Sequence, residues 1–165
     1  MSALSKEPIT GHATFVLLYM KQLNFASAVS TLRPPDLLKF IRITKETCQR
    51  VAEKTHGTLI RLQGDCIIAW NEDDLQSSTV NYKDTGKILL TEVRESTMGL
   101  ANETGFPVKI SISIVRGACV FERKANEYTR LVGDAMNRVA RLADSARDNA
   151  IIIDDSVEDR RTVGD

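Results

Sequence analysis

An excess of either charge is the first thing this sequence lacks. Lys and Arg number 22 and Asp and Glu also 22, so the formal balance is zero. That removes the basic footprint of a nucleic-acid binder or of a protein held to an anionic membrane. Histidine and cysteine are scarce, at two and three. The histidines have no metal-ligand spacing with the cysteines, so a zinc-type cluster is not expected. Cys48, Cys66 and Cys119 are odd in number and lie in apolar segments. They read as reduced, buried, small hydrophobes, which implies a cytoplasmic setting. No apolar run approaches the roughly 18 residues of a membrane span. Residues 1–12 lack the apolar centre of a signal peptide and read as a flexible segment. Internal repeats and low-complexity tracts are missing too.

What is present is the pattern of a globular domain, 42% apolar and long enough to bury a core. The stretch His56 to Trp70 organises it. Thr58 to Leu62 and the apolar Cys66 to Trp70 flank Gly64-Asp65, which predicts a β-hairpin with a carboxylate at its tip. Such a carboxylate is either turn chemistry or a metal ligand. Before the hairpin, the run Ala13 to Met20 reads as a buried central strand. Phe25 to Leu32 reads as a brief helix. Pro34-Pro35-Asp36 opens a long amphipathic helix that ends near His56-Gly57.

After the hairpin, Asn71 to Tyr82 reads as a polar loop and Lys83 to Thr104 as a helix closed by Gly105-Phe106-Pro107. Val108 to Val115 alternates strictly and is the clearest strand. Gly117 is expected to interrupt it, with Ala118 to Phe121 forming a second strand and Glu122 to Glu127 a charged turn. Tyr128 to Val132 follows as a short strand, Gly133 to Ala146 as a helix, and Ile151 to Ile153 as a last buried strand. The order predicts an α+β fold: a ferredoxin-like βαββαβ core with an added hairpin, a mostly antiparallel sheet and helices on one face.

Four stretches, in this order, resemble the catalytic domain of class III nucleotide cyclases, the adenylyl and guanylyl cyclases. They are the strand and turn ending in Phe25; His56-Gly57-Thr58 with Leu62-Gln63-Gly64-Asp65; Ile114-Val115-Arg116-Gly117; and Val132 to Leu142, VGDAMNRVARL. The resemblance covers about residues 13–156, with 157–165 as a tail that stops before the family's final hairpin. It implies a homodimer or heterodimer with active sites between two such domains. One face brings two aspartates for two divalent cations, Mg2+ or Mn2+. The other brings base selectors, a ribose-binding Asn and a phosphate-binding Arg.

Residue by residue, the resemblance puts Asp65 at the second metal aspartate. The first falls at Lys21, four before Phe25. A carboxylate accepts and binds a hard cation, whereas an ammonium only donates and repels one. Lys21 is either a neutraliser of Asp65 that fills the place of one metal, or a solvated strand-end lysine. Asn137 and Arg141, four apart and so on one helical face, match the ribose and transition-state residues. Arg138 and Arg147 read as surface charges. Arg61 takes one base-selecting position and Arg130 or Thr129 the other, which leaves adenine against guanine open. Gln22, Leu23, Asn24 and Phe25 form the turn that cups phosphates through backbone N–H groups, with Asn24 where the family has Gly.

The expectation is therefore a cyclase homology domain, catalytically impaired at Lys21, that dimerises and binds ATP or GTP or serves as a regulatory module. On that reading it needs no metal. The alternative is an active adenylate cyclase making cAMP with Mg2+ or Mn2+, alone or as half of a heterodimer. A third reading is an unrelated ferredoxin-like domain, in which Lys21, Asp65 and the 22–25 turn need not meet.

Overall fold

A computed structural model describes residues 7–74 and 80–157. Half of the expected flexible segment 1–12, the middle of the 71–82 loop and nearly all of the tail 157–165 lie outside the described residues. The hub is β1 (Ile9–Gln22). Its odd and even residues are both apolar, so it is buried on both faces, with Phe15 to Leu18 wholly inaccessible. The strand opens at Ile9, so residues 9–12 are strand and not lead-in, because each pairs with the far end of β4.

β1 pairs antiparallel with β3 (Cys66–Asn71) on one side and β4 (Ile110–Lys124) on the other. β2 (Thr58–Arg61) lies outside β3, giving the order β2-β3-β1-β4 of a βαββαβ core. β5 (Glu127–Val132) and β6 (Ile151–Ile153) share the outer edge of β4, β5 along Val120–Lys124 and β6 along Ile112–Ile114. β6 is the parallel member of the sheet.

α1 (Phe25–Thr31) is a brief helix after β1. α2 (Pro34–Lys54) begins with Pro at its first turn and carries Asp36 there and Lys54 at its last, as the helix dipole favours. α3 (Tyr82–Thr104) is capped by the Asn81 side chain, which accepts from the Asp84 N–H at 3.1 Å. It ends at Gly105, whose φ of 73° glycine adopts without cost. α2 and α3 bury Cys48, Val51, Leu89 and Val93 against Val16, Leu18, Ile68, Trp70 and Ile112.

α4 (Asp134–Ser145) packs on the opposite face, through Ala135 and Val139 against Phe15, Leu17, Ile67 and Val115. Helices on one face is thus corrected to helices on both. A single helical layer would leave the odd-numbered residues of β1 in water.

Gly117 does not interrupt β4, which runs unbroken to Lys124 and leaves only Ala125-Asn126 for the expected charged turn. Gly117 instead makes room for α4. A Cβ there would lie 2.9 Å from the Ala135 Cβ. Nor is Arg138 a plain surface charge. Its guanidinium donates to Asp154 at 2.8 Å and reaches the Arg116 carbonyl, and Arg116 donates to Glu72 at 2.8 Å and to the Ser156 carbonyl. These contacts hold residues 154–157 against the sheet.

Candidate active-site edge

The hairpin tip and the end of β1 meet because of Gly64. Its φ of 89° turns the chain, and a Cβ there would lie 2.7 Å from the Phe25 ring. The turn therefore sits against the start of α1 and aims Asp65 at the last residues of β1. One Asp65 oxygen accepts from the Tyr19 hydroxyl at 2.8 Å and the other from the Gln22 N–H at 2.9 Å. Burial, then the bond to Asp65, pushes the Tyr19 phenol well above its ordinary range, so it stays a donor.

Lys21 lies in the same place. Its ammonium is 3.9 Å from Asp65 and 3.2 Å from Asp144 on α4. Lys21, Asp65 and the 22–25 turn thus share one edge. Asp65 is mostly buried and Asp144 mostly exposed. The edge holds one inward carboxylate, both of whose oxygens have donors, with a cation alongside. This donor set does not fit a pair of divalent ions. Among the described residues no group of three or more His, Cys, Asp or Glu is placed to hold a metal.

The turn is partly committed within the fold. The Gln22 N–H serves Asp65, and the Leu23 N–H donates to the Lys109 carbonyl at 2.7 Å. Asn24 accepts from the Gln22 side chain and donates to the Pro107 carbonyl at 2.7 Å. Among the described residues the backbone N–H groups of Asn24 and Phe25 have no hydrogen-bond partner.

Asn137 and Arg141 both project from α4 into solvent. Among the described residues neither side chain has a hydrogen-bond or ion-pair partner. Asp144 is three residues beyond Arg141 and continues their face toward Lys21. Sequence reasoning missed Asp144 and Tyr19. The signal for Asp144 was that same helical spacing; for Tyr19 it was the alternation that puts residues 19 and 21 on one face of a strand.

β2 and β5 form the two sides of a cleft of about 430 Å³, lined by Arg61 from one and Thr129 from the other. Arg130 does not line it and lies 3.9 Å from Glu122. Thr129 is displaced by a bulge opposite Glu122–Arg123 and donates its hydroxyl to Glu122 at 2.7 Å. That bond uses the hydroxyl proton and leaves oxygen lone pairs for a donor in the cleft.

The fold is that of the class III nucleotide cyclase catalytic domain. The guanylyl cyclase Cya2 aligns with a TM-score of 0.76 at 18% identity, over 90% of this chain and 78% of that one. The adenylyl cyclase CyaB from P. aeruginosa aligns at 0.66 and 17%, over 88% and 78%. The guanylate cyclase domain of RhGC from Catenaria anguillulae, solved in complex with GTP, aligns at 0.69 and 14%, over 90% and 82%. No protein-family model matches the sequence, and no curated relative matches it. No helix among the described residues is long and apolar enough to cross a membrane.

Proposed function

We propose that this chain is a cyclase homology domain that makes no cyclic nucleotide by itself and acts as a dimerising, nucleotide-binding module. The observation that carries this reading is the Lys21 ammonium lodged between Asp65 and Asp144. Two-metal phosphoryl transfer needs cations that polarise the attacking and leaving oxygens, a stabilisation of several kcal/mol. Losing about 4 kcal/mol slows the step about a thousandfold. An ammonium tethered to Asp65 offsets that carboxylate and offers a substrate oxygen one hydrogen bond.

Dimerisation is supported by two exposed polar side chains of α4, Asn137 and Arg141. Among the described residues the Asn137 and Arg141 side chains reach no partner, as expected of residues that work across an interface. A heterodimer is the second reading, favoured by the same face. A partner that keeps both metal aspartates would receive Asn137 and Arg141 from this chain. The Arg61–Thr129 cleft favours adenine: the Thr129 oxygen takes the amino group and Arg61 donates to a ring nitrogen.

The test is turnover of ATP and GTP by the pure chain with Mg2+ and with Mn2+. No product above background is expected, with a light-scattering mass near twice 18.3 kDa at high concentration. Robust, divalent-dependent turnover overturns the reading.

A further inference from the structure

On the solvent side of α2 a second groove, of about 700 Å³, is lined by Arg42, Lys45, Glu46, Gln49, Arg50 and Arg61. Four cations face one carboxylate there, in a chain whose charges balance overall. Their spacing is ordered. Arg42, Lys45 and Gln49 follow one helical face, and Arg42 to Arg50 spans about 12 Å of helix. Arg50 donates from its guanidinium to the Thr47 hydroxyl at 3.4 Å. The cations are felt inside the fold as well. The Cys66 thiol is lowered first by its hydrogen bond with Cys48, against burial, and then by Lys45, with Asp65 opposing and Arg61 adding to the lowering.

This groove is not separate from the cleft between β2 and β5. Gln49 and Arg61 line both, so Arg61 stands at the junction of a cleft in which it faces one carboxylate, Glu127, and a groove in which cations outnumber carboxylates. The excess of cations in the second suits a chain of phosphates. Arginines and a lysine on one helical face suit phosphate oxygens, with bidentate and point-charge contacts.

We propose that the chain binds a purine nucleoside triphosphate without metal. The base lies between Arg61 and Thr129, and the phosphates lie along α2 on Arg42, Lys45 and Arg50. The assignment of the base slot rests on the cyclase-homology reading; the phosphate slot does not. Protein cations replace the divalent ions that Lys21 displaces at the other edge. The phosphates therefore run toward α2 and away from Asp65, whose charge would repel them.

The test is calorimetry of the whole chain in EDTA at low salt, with ATP, adenosine and inorganic tripolyphosphate as separate ligands. ATP is expected to bind, tripolyphosphate to compete with it, and added salt to weaken both. The double variant Arg42→Glu, Lys45→Glu is expected to lose ATP at least tenfold while adenosine is unaffected. Both residues lie at the surface, and a circular dichroism melt checks the fold. Arg50→Glu provides an independent second variant. ATP that binds only when Mn2+ is added overturns the proposal. So does charge reversal that leaves ATP affinity unchanged, or loss that follows Asn137→Ala or Arg141→Ala instead. Failure of the inactive-domain reading appears elsewhere, as cyclic nucleotide in the turnover assay, and failure of the base-slot assignment appears as tripolyphosphate binding that no purine improves.

Discussion

At the scale of single residues, position 21 decides what the edge can bind. Lys21→Asp removes the ammonium and puts a third carboxylate beside Asp65 and Asp144. Three clustered carboxylates repel one another and bind a divalent ion well. Without metal the variant is expected to melt below the parent. Mn2+ at a hundredfold excess over its Kd is then expected to restore about 2.7 kcal/mol, or about 5–10 °C in a chain of this size. The parent's melting temperature is expected to stay fixed under the same titration. Differential scanning fluorimetry reads both, and an unmoved variant means that Lys21 does not stand in a cation's place. The sequence carried Lys21 and Asp65 legibly, since each is fixed by short spacing to a recognisable neighbour, Phe25 or Gly64. Asp144 was not legible. Its partner is more than a hundred residues away, and only the packing of α4 brings them together.

At the scale of elements, Gly117 shows what local reading misses. A glycine in an alternating pattern looks like a break, because nothing in a strand's own sequence reveals a close neighbour. Its reason lies on α4. Gly117→Ala is expected to cost about 1–3 kcal/mol, the usual penalty of overpacking. The companion change Ala135→Gly is expected to recover part of that, and a urea double-mutant cycle measures the coupling. If the two costs simply add, Gly117 is not there for the helix. The side of the sheet that α4 covers was illegible for a related reason. Periodicity shows that a helix has an apolar stripe, not which surface receives it. The clue lay in β1, whose apolar residues occupy both parities and call for cover on both sides.

At the scale of the molecule, the segment after β6 is fastened by charge. Burial works against the Asp154 carboxylate, but bonds from Ser156 and Arg138 win and hold it below the ordinary carboxylate range. A depressed carboxyl stabilises the fold above its unfolded pKa, near 4, and loses that contribution as pH falls through the lower folded value. Asp154→Asn is therefore expected to cost about 1 kcal/mol at pH 7, discounted for partial exposure. The difference from the parent should shrink steadily below pH 4 in thermal melts. A gap that is constant with pH would place the effect in packing, not charge.

The lysine between Asp65 and Asp144 has one more consequence. A metal ion comes and goes with its supply outside, and a chelator can strip it. A side-chain amine tethered to the chain never leaves, and its local concentration is set by covalent bonds. On the proposed reading this edge works at constant setting, indifferent to swings in magnesium or manganese that would quicken or stall a domain with two free ions. On the same reading, any signal it passes on comes from the nucleotide or the neighbouring subunit.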